Sequence, residues 1–352
     1  MTDVPSLGEF QTATQLADTQ AQLERVERRL HVVENENVDL REILRVQTEI
    51  RDRAGKPPRW AKPSSKKPKQ PSAIANLFLS DWHFDAVIDP VEVEGINAYN
   101  REIATLRLRR CVDRAIHLAD NYLNGVTYAG AYVWLGGDMV SGTIHDELRR
   151  TNADEIMGTV AYWVPQLQAA LTQIGDFFGN VHVAGVVGNH GRITRKPVAK
   201  RRVRQNWDWL IYHLLSDHFS SDPRFTFDIS EAADTTVSHL NTRYLLTHGD
   251  QFRGGHGIAG IWSALMLGQH RKTRRQASLD NPFDVMLLGH FHQLVSAPLF
   301  IVNGSGCGYD EYAYTQNFPA EPPQQAFWIC TPEHGPAFHA PILVADRKKE
   351  GW

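Results

Sequence analysis

An α/β fold is predicted for this chain: a four-layer α/β/β/α sandwich of two mixed sheets with flanking helices, preceded by an N-terminal coiled-coil helix. Three observations carry that expectation. From Ala73 onward short apolar runs alternate with helical patterns, as in a sheet covered by helices. After Phe219 the pattern turns β-rich, which calls for antiparallel strands and a second sheet packed on the first. Before Ala73 apolar residues recur at heptad spacing.

Taken in order, residues 1–13 read as a disordered tail. Over 14–53, Leu16, Leu23, Leu30, Asn37 and Leu44 repeat every seven, and Val26, Val33 and Leu40 follow at plus three. This apolar seam, flanked by Glu24, Arg25, Arg28 and Arg29, reads as a coiled coil and an oligomerisation element. Asn37 at an a position favours a dimer, whereas Leu at a with Val at d pulls towards higher order. A homo-oligomer is expected, with a dimer favoured; a single amphipathic helix is the alternative. Residues 54–72 interleave Pro57, Pro58, Pro63, Pro68 and Pro71 with Lys and Ser, a basic linker that cannot pack. Residues 73–345 form the main domain, and 346–352 a tail.

Within that domain the sequence predicts strands at Ala73–Asp81, Tyr132–Gly136 and Val181–Val187. Helices are expected at Ala98–Asn124, within Ala153–Phe178 and at Val203–Phe219. Phe225–Ile229, Thr235–Leu240 and Arg243–Thr247 read as short antiparallel strands. A helix at Ile258–His270 precedes strands at Val285–Leu288, Leu299–Val302 and Ala326–Cys330.

With 42% hydrophobic residues over 352 positions, the chain can bury a large core. Its three cysteines are far apart, which speaks for a reducing compartment and against a disulfide scaffold or a cysteine-ligated zinc. No apolar stretch is long enough to span a bilayer, so a cytoplasmic protein without a membrane partner is expected. The net charge of −3 hides acid-free basic blocks at Lys56–Lys69 and Arg192–Arg204, with a third at Arg271–Arg275. Such clusters form an electrostatic footprint for polyanions.

The chemistry is concentrated in five motifs that each close an apolar run. They are Asp81-Trp82-His83, Gly137-Asp138, Gly188-Asn189-His190, His248-Gly249-Asp250 and Gly289-His290-Phe291-His292. A buried strand that stops at a carboxylate, amide or imidazole places that group at a sheet edge. Five such edges would gather the mixed N/O donor set that suits divalent manganese, iron or zinc. Two ions about 3.5–4 Å apart could clamp a phosphate and activate a water near neutral pH.

In this order the motifs resemble those of the calcineurin-like metallophosphoesterase superfamily: D-x-H, G-D, G-N-H-[DE], H and G-H-x-H. The match spans roughly Ala73 to Asn303. The resemblance implies that Asp81, His83 and His292 hold one metal and that Asn189, His248 and His290 hold the other, with Asp138 bridging. His190 would sit beside the scissile phosphate, and Asp250 could orient His248 from outside the ligand set. Two departures stand out. The acid usual after G-N-H is Gly191 here, which leaves His145, Asp146 and Glu147 as substitute partners for His190; His145 is itself a catalytic candidate. The D-R-G signature of Ser/Thr protein phosphatases is missing after Asp138. Arg192 is similar in position to a phosphate-gripping arginine in some branches.

The expectation is therefore a hydrolase that uses two divalent ions, manganese first, with metal-bound hydroxide attacking phosphorus. DNA is the favoured substrate, in the manner of the superfamily's nuclease branch. Arg195, Lys196, Lys200, Arg201, Arg202 and Arg204 would track its backbone. Tyr309, Tyr312 and Tyr314, in a glycine-rich loop expected to be flexible, could stack on bases. The alternatives are a phosphomonoesterase acting on a nucleotide or phosphoprotein, and a non-enzymatic scaffold that only binds DNA or a partner.

Overall fold

The computed structural model describes Gln20, residues 22–31, Glu34, Arg41, residues 72–252 and residues 260–352. The chain divides into two units, Met1–Pro68 and Lys69–Trp352. In the first, residues 22–31 are helical, and Leu23, Val26 and Leu30 of the heptad seam lie exposed on that helix. The rest of the expected coiled coil, Asn37 included, falls outside the described residues, as do the tail at 1–13 and the linker up to Pro71.

The second unit contains two mixed sheets. The first has six strands in the order β11-β10-β1-β2-β3-β4. These are β1 (Ser72–Leu79), β2 (Thr127–Leu135), β3 (Val181–Gly185), β4 (Phe225–Ile229), β10 (Gln324–Thr331) and β11 (Gly335–Leu343). The second has the order β5-β6-β7-β9-β8, with β5 (Asp234–His239), β6 (Thr242–Thr247), β7 (Val285–Leu288), β8 (Val295–Ala297) and β9 (Phe300–Val302). Within the first sheet β1 to β4 run parallel; within the second β6, β7 and β9 do.

Period-two alternation sorts the side chains into layers. On β6, Tyr244 and Leu246 face the space between the sheets, where they meet Phe78, Trp134, Val186 and Trp328 of the first sheet. Leu245 points the other way, with Met286, Leu288, Phe300 and Val302, onto helix α5 (Trp262–Ser278) through Leu265. The opposite face of the first sheet packs through Leu77, Leu79, Val133 and Val183 against α1 (Arg101–His117), α3 (Ile156–Phe178) and α4 (Trp207–His218). The result is helices, sheet, sheet, helix, the predicted four-layer sandwich.

Several boundaries differ from the expectation for physical reasons. The helix expected from Val203 begins at Trp207, because Asn206 caps it by accepting a hydrogen bond from the Asp208 N–H. The helix expected to end at His270 runs on to Ser278, so the basic block at Arg271 is helical. Strand β4 pairs parallel to β3 rather than antiparallel, since α4 returns the chain to the same end of the sheet. Short strand β8, edge strand β11 and the single turns α2 (Leu148–Thr151) and α6 (Glu311–Thr315) escaped the sequence pattern.

Residues 346–352 are not a loose tail. Arg347–Glu350 form a turn, α7, and the Glu350 carboxylate is fully buried against Arg107 at 3.1 Å and Arg110 at 2.7 Å. Arg107, itself without solvent exposure, also donates to the carbonyls of Gly306, Cys307 and Ala98 and to Asn97. A buried charge survives when it is paired and its donors are filled; Arg107 meets both conditions.

Between the sheets one polar set interrupts the aromatic packing. Asn76 Oδ1 accepts from Trp134 Nε1 at 3.0 Å and from His239 Nε2 at 2.9 Å, while His239 Nδ1 has no partner among the described residues. Burial, reinforced by nearby His182, lowers His239 from 6.5 to about 4. The unfolded chain binds this proton near pH 6.5 and the folded one only near 4, so folding stability should fall as pH drops through that interval. The loss should be on the order of 3 kcal/mol. Urea titrations of wild type and His239→Gln between pH 7 and about pH 4 should show a shallower pH slope in the variant; equal slopes would refute the assignment.

Candidate metal centre

The C-terminal ends of β1, β2 and β3 in one sheet and of β6 and β7 in the other open onto a common edge, where open α/β sheets carry their ligands. All the motif residues lie there, one or a few positions past a strand end. Asp81 and His83 follow β1, Asp138 follows β2, Asn189 and His190 follow β3, His248 follows β6, and His290 and His292 follow β7.

Their side-chain atoms converge. His83 Nε2 lies 3.1 Å from His292 Nε2, and His292 Nε2 lies 3.5 Å from Asp81 Oδ1. His248 Nε2 lies 3.0 Å from Asp138 Oδ2 and 3.1 Å from Asn189 Oδ1. Three sets of donor atoms, each within 4.8 Å, result: Asp81/His83/His292, His83/Asp138/His190 and Asp138/His248/His290. Asp138 stands in two of them, at the middle of the row.

The backbone is bent to achieve this. Asp81, His83, Asp138, His290 and His292 all have positive φ, between 44° and 69°. That region is costly for residues with a Cβ and is tolerated mainly by Asn, Asp and His. Ties between the loops hold it. The Asp81 N–H donates to Gly137 O, the His83 N–H to Asp138 O, and the His290 N–H to Asp81 Oδ1 at 2.9 Å. The His190 N–H donates to Asp138 Oδ1 at 2.6 Å. The Asp81 carbonyl accepts from Gly306 N and Ser305 Oγ, and Ser80 Oγ donates to the Asp81 carboxylate. Gly137, at φ 90°, has the Gly188 nitrogen 2.3 Å from where a Cβ would sit, so only glycine lets these loops approach.

The electrostatics suit a cation. Burial lowers His83, His190 and His290, the last to about 4, so these imidazoles present lone pairs at neutral pH. Burial alone would also lower His248, but the Asp138 carboxylate outweighs it and pushes His248 up to about 10. His292 is raised in the same way by Asp81. His248 and His83 with His190 in turn hold Asp138 well below the carboxylate range against its burial. The protons drawn onto His248 and His292 stand where positive charge is called for. Neutral imidazoles, carboxylates and one amide oxygen are the donor chemistry of a divalent ion that accepts both N and O.

Outside this donor set the structure revises several expectations. Asp250 does not orient His248: the His248 Nδ1 is bonded to the Gly136 carbonyl at 2.8 Å, and Asp250 takes both ends of the Arg202 guanidinium at 2.8 Å. The partner of His190 is none of the three suggested side chains; its Nδ1 is bonded to the Ser141 carbonyl at 2.9 Å. His145 is exposed, with its ring 6.4 Å from that of His190. Arg192 donates to the carbonyls of Asn189 and Thr194 at 2.9 and 3.1 Å, so its guanidinium braces the Asn189 turn. Together with Arg202, Thr194 and Val198 it lines a small cavity beside Asn189.

In the basic block, Arg202 is paired with Asp250 and Arg204 with Glu231, while Arg195 lies 3.8 Å from Asp146. Lys196, Lys200 and Arg201 are exposed. The glycine-rich loop is not loose: residues 303–309 are buried, and Tyr309 and Tyr314 donate their hydroxyls to Phe318 O and Glu94. Tyr312 remains exposed beside Phe318. Sequence reasoning missed Ser141 and Gly136, which act through main-chain carbonyls and leave no side-chain signature. It also missed Asp208, whose position two residues after a helix-capping Asn was readable.

No family model matches the chain, and no curated protein matches it. Among solved structures it is similar to vacuolar protein sorting 29 from Cryptosporidium parvum, with 13% identity and a TM-score of 0.30 over 74% of this chain and 86% of that one. A predicted phosphoesterase from Streptococcus pneumoniae gives 12% identity and a TM-score of 0.27 over 76% and 97%. A 5'-nucleotidase described as putative, from Staphylococcus aureus, gives 10% and 0.31 over 78% and 55%. In the order of its motifs the chain resembles the calcineurin-like metallophosphoesterases.

If this edge is built for divalent ions, manganese should stabilise the folded chain. Ligand at a hundred times its Kd adds about 2.7 kcal/mol, visible as a rise in Tm that a chelator reverses. Asp138→Asn should lose most of that rise. An equal rise in the variant would remove Asp138 from the donor set.

Proposed function

We propose that this protein is a phosphoesterase that uses two divalent ions, and the observation supporting this most directly is the position of Asp138 between two donor sets. Asp81, His83 and His292 would hold one ion, Asn189, His248 and His290 the other, and Asp138 both. Bound there, a pair of divalent ions, manganese being the first choice, would lower the pKa of a shared water and neutralise charge on phosphoryl oxygens. The remaining steps belong to the chain's own residues. His190 is held by the Ser141 carbonyl at Nδ1, and one of its ring nitrogens lies within 4.8 Å of donor atoms of Asp138 and His83. Burial lowers His190 against the opposing pull of the Asp138 carboxylate, so the ring would first take up a proton and then, from there, hydrogen-bond a phosphoryl oxygen or protonate the leaving oxygen. Arg192 keeps the Asn189 turn in place from behind.

For the substrate, a phosphodiester of nucleic acid, DNA first, is the reading we favour. Its support is the exposed group Lys196, Lys200 and Arg201, which leaves directly from the Asn189-His190 turn. The internal pairing of Arg202 and Arg204 trims that footprint and favours, as the second reading, a phosphomonoester of a nucleotide. The exposed seam of Leu23, Val26 and Leu30 supports self-association through the N-terminal helix; a monomeric full chain in sedimentation would overturn that part.

Turnover should be measured on a generic phosphodiester, a nucleoside monophosphate and labelled single- and double-stranded DNA, with manganese present. His190→Asn should lower kcat by roughly 10²–10⁴ while keeping manganese binding. Reversing Lys196, Lys200 and Arg201 to Glu should weaken DNA turnover across sequences, flatten its salt dependence and spare the generic diester. Turnover of the monophosphate alone would move the assignment to the second reading, and no turnover of any substrate would end it.

A further inference from the structure

Gly191 follows His190 where an acid is usual, and an acid from another element, Asp208, stands beside it. Position 191 has no room for a side chain: a Cβ there would lie 2.2 Å from Asn206 Oδ1 and 3.0 Å from Asp208 Cγ. The space beside the Gly188-Asn189-His190 turn is therefore filled by the first turn of α4. Asp208 is fully buried in it, and its carboxylate accepts from three backbone N–H groups, those of Asp138, Met139 and Gly188. Oδ2 accepts from Asp138 N at 3.0 Å and from Gly188 N at 2.9 Å, and Oδ1 accepts from Met139 N at 3.1 Å. Around it, Asn206 Nδ2 donates to Gly188 O, the Trp207 N–H to Gly191 O, and the Gly137 N–H to the Tyr212 hydroxyl. One carboxylate thus straddles the turn that carries Asp138 and the turn that carries Asn189.

We infer that Asp208 is a positioning residue that sets the separation of Asp138 from Asn189, and so the spacing of the two ion sites, from helix α4 in place of an acid at position 191. The physical reason is the count of acceptors. The loops meet so closely that a Cβ on Gly188 would lie 2.1 Å from Asp138 Oδ1, and at that distance three buried N–H groups point into one space. A buried donor without an acceptor is costly, and a carboxylate can accept all three with two oxygens, whereas an amide has one oxygen and two donors of its own. Asp208→Asn keeps the volume but, even with its oxygen turned to Asp138 N and Gly188 N, sets its own N–H against that of Met139 and leaves it without an acceptor. The turns must then part, and Asp138 with them.

The inference rests on the ion-binding reading of the edge, and its test separates the two. Manganese binding to the metal-free full chain is followed by calorimetry for wild type, Asp208→Asn and Leu171→Ala. Leu171 lies on the buried face of α3, away from the metal-facing motifs, so its truncation lowers stability without touching the edge. Asp208→Asn should weaken manganese binding by at least about tenfold, as outer partners of ligands do, while Leu171→Ala should leave it unchanged. Turnover of the generic diester by Asp208→Asn should recover as manganese is raised, the mark of a positioning defect. In the absence of metal, the amides of Asp138, Met139 and Gly188 should lose protection from exchange in Asp208→Asn and keep it in Leu171→Ala. Wild-type affinity in Asp208→Asn, or equal losses in both variants, would overturn the inference alone. No manganese binding by wild type would overturn the ion-binding reading and, with it, the role given to Asp208.

Discussion

Acids and imidazoles crowd a sheet edge here on backbone that most residues avoid, and the rest of the molecule is arranged around keeping them there. Five of the converging residues have left-handed φ, each at a cost of about 1–3 kcal/mol. Nothing local offsets that cost. The compensation comes from hydrogen bonds that run from loop to loop, so that the Asp81 and Asp138 carboxylates hold the main chain of His290 and His190 as well as facing the centre. Loops tied to one another in this way fix the donor groups relative to each other, as preorganised electrostatic stabilisation requires.

The centre also straddles the two sheets. Asp81, Asp138 and Asn189 leave the first sheet, while His248, His290 and His292 leave the second. The distance between the donor groups is therefore set by the packing of the layers, through Phe78, Trp134, Tyr244 and Trp328. Trp134 stacks on Trp328 at 6.3 Å and meets Tyr244 at 5.2 Å, an interlocked set with little room to slide. Core and site are one mechanical unit, and a change of volume between the sheets would be felt at the edge.

The strand ends and the donor residues were legible because each depends on a local pattern: an apolar run, then a polar residue that only function explains. Val285–Leu288 and Phe225–Ile229 were read to the residue. What escaped depends on distant pairing. β8 and β11 are short or half-exposed strands whose partners, not their own residues, make them strands. The role given to Asp250 depended on its place in the chain, and in the fold it has a nearer partner, Arg202, just as Arg192 bonds the carbonyls of its own loop. Gly191 reads as a lost acid in one dimension, and only three dimensions reveal Asp208 behind it.

The buried Arg107 links places far apart in the chain. Its guanidinium grips the carbonyls of Gly306 and Cys307, whose loop supports Asp81, and the carboxylate of Glu350 in the last turn. Cutting the chain after Ala345 would strip away the carboxylate that balances this cation, leaving a desolvated charge to seek water at the expense of the loop beneath Asp81. A fusion or deletion at this terminus thus reaches the metal-facing edge by way of one side chain.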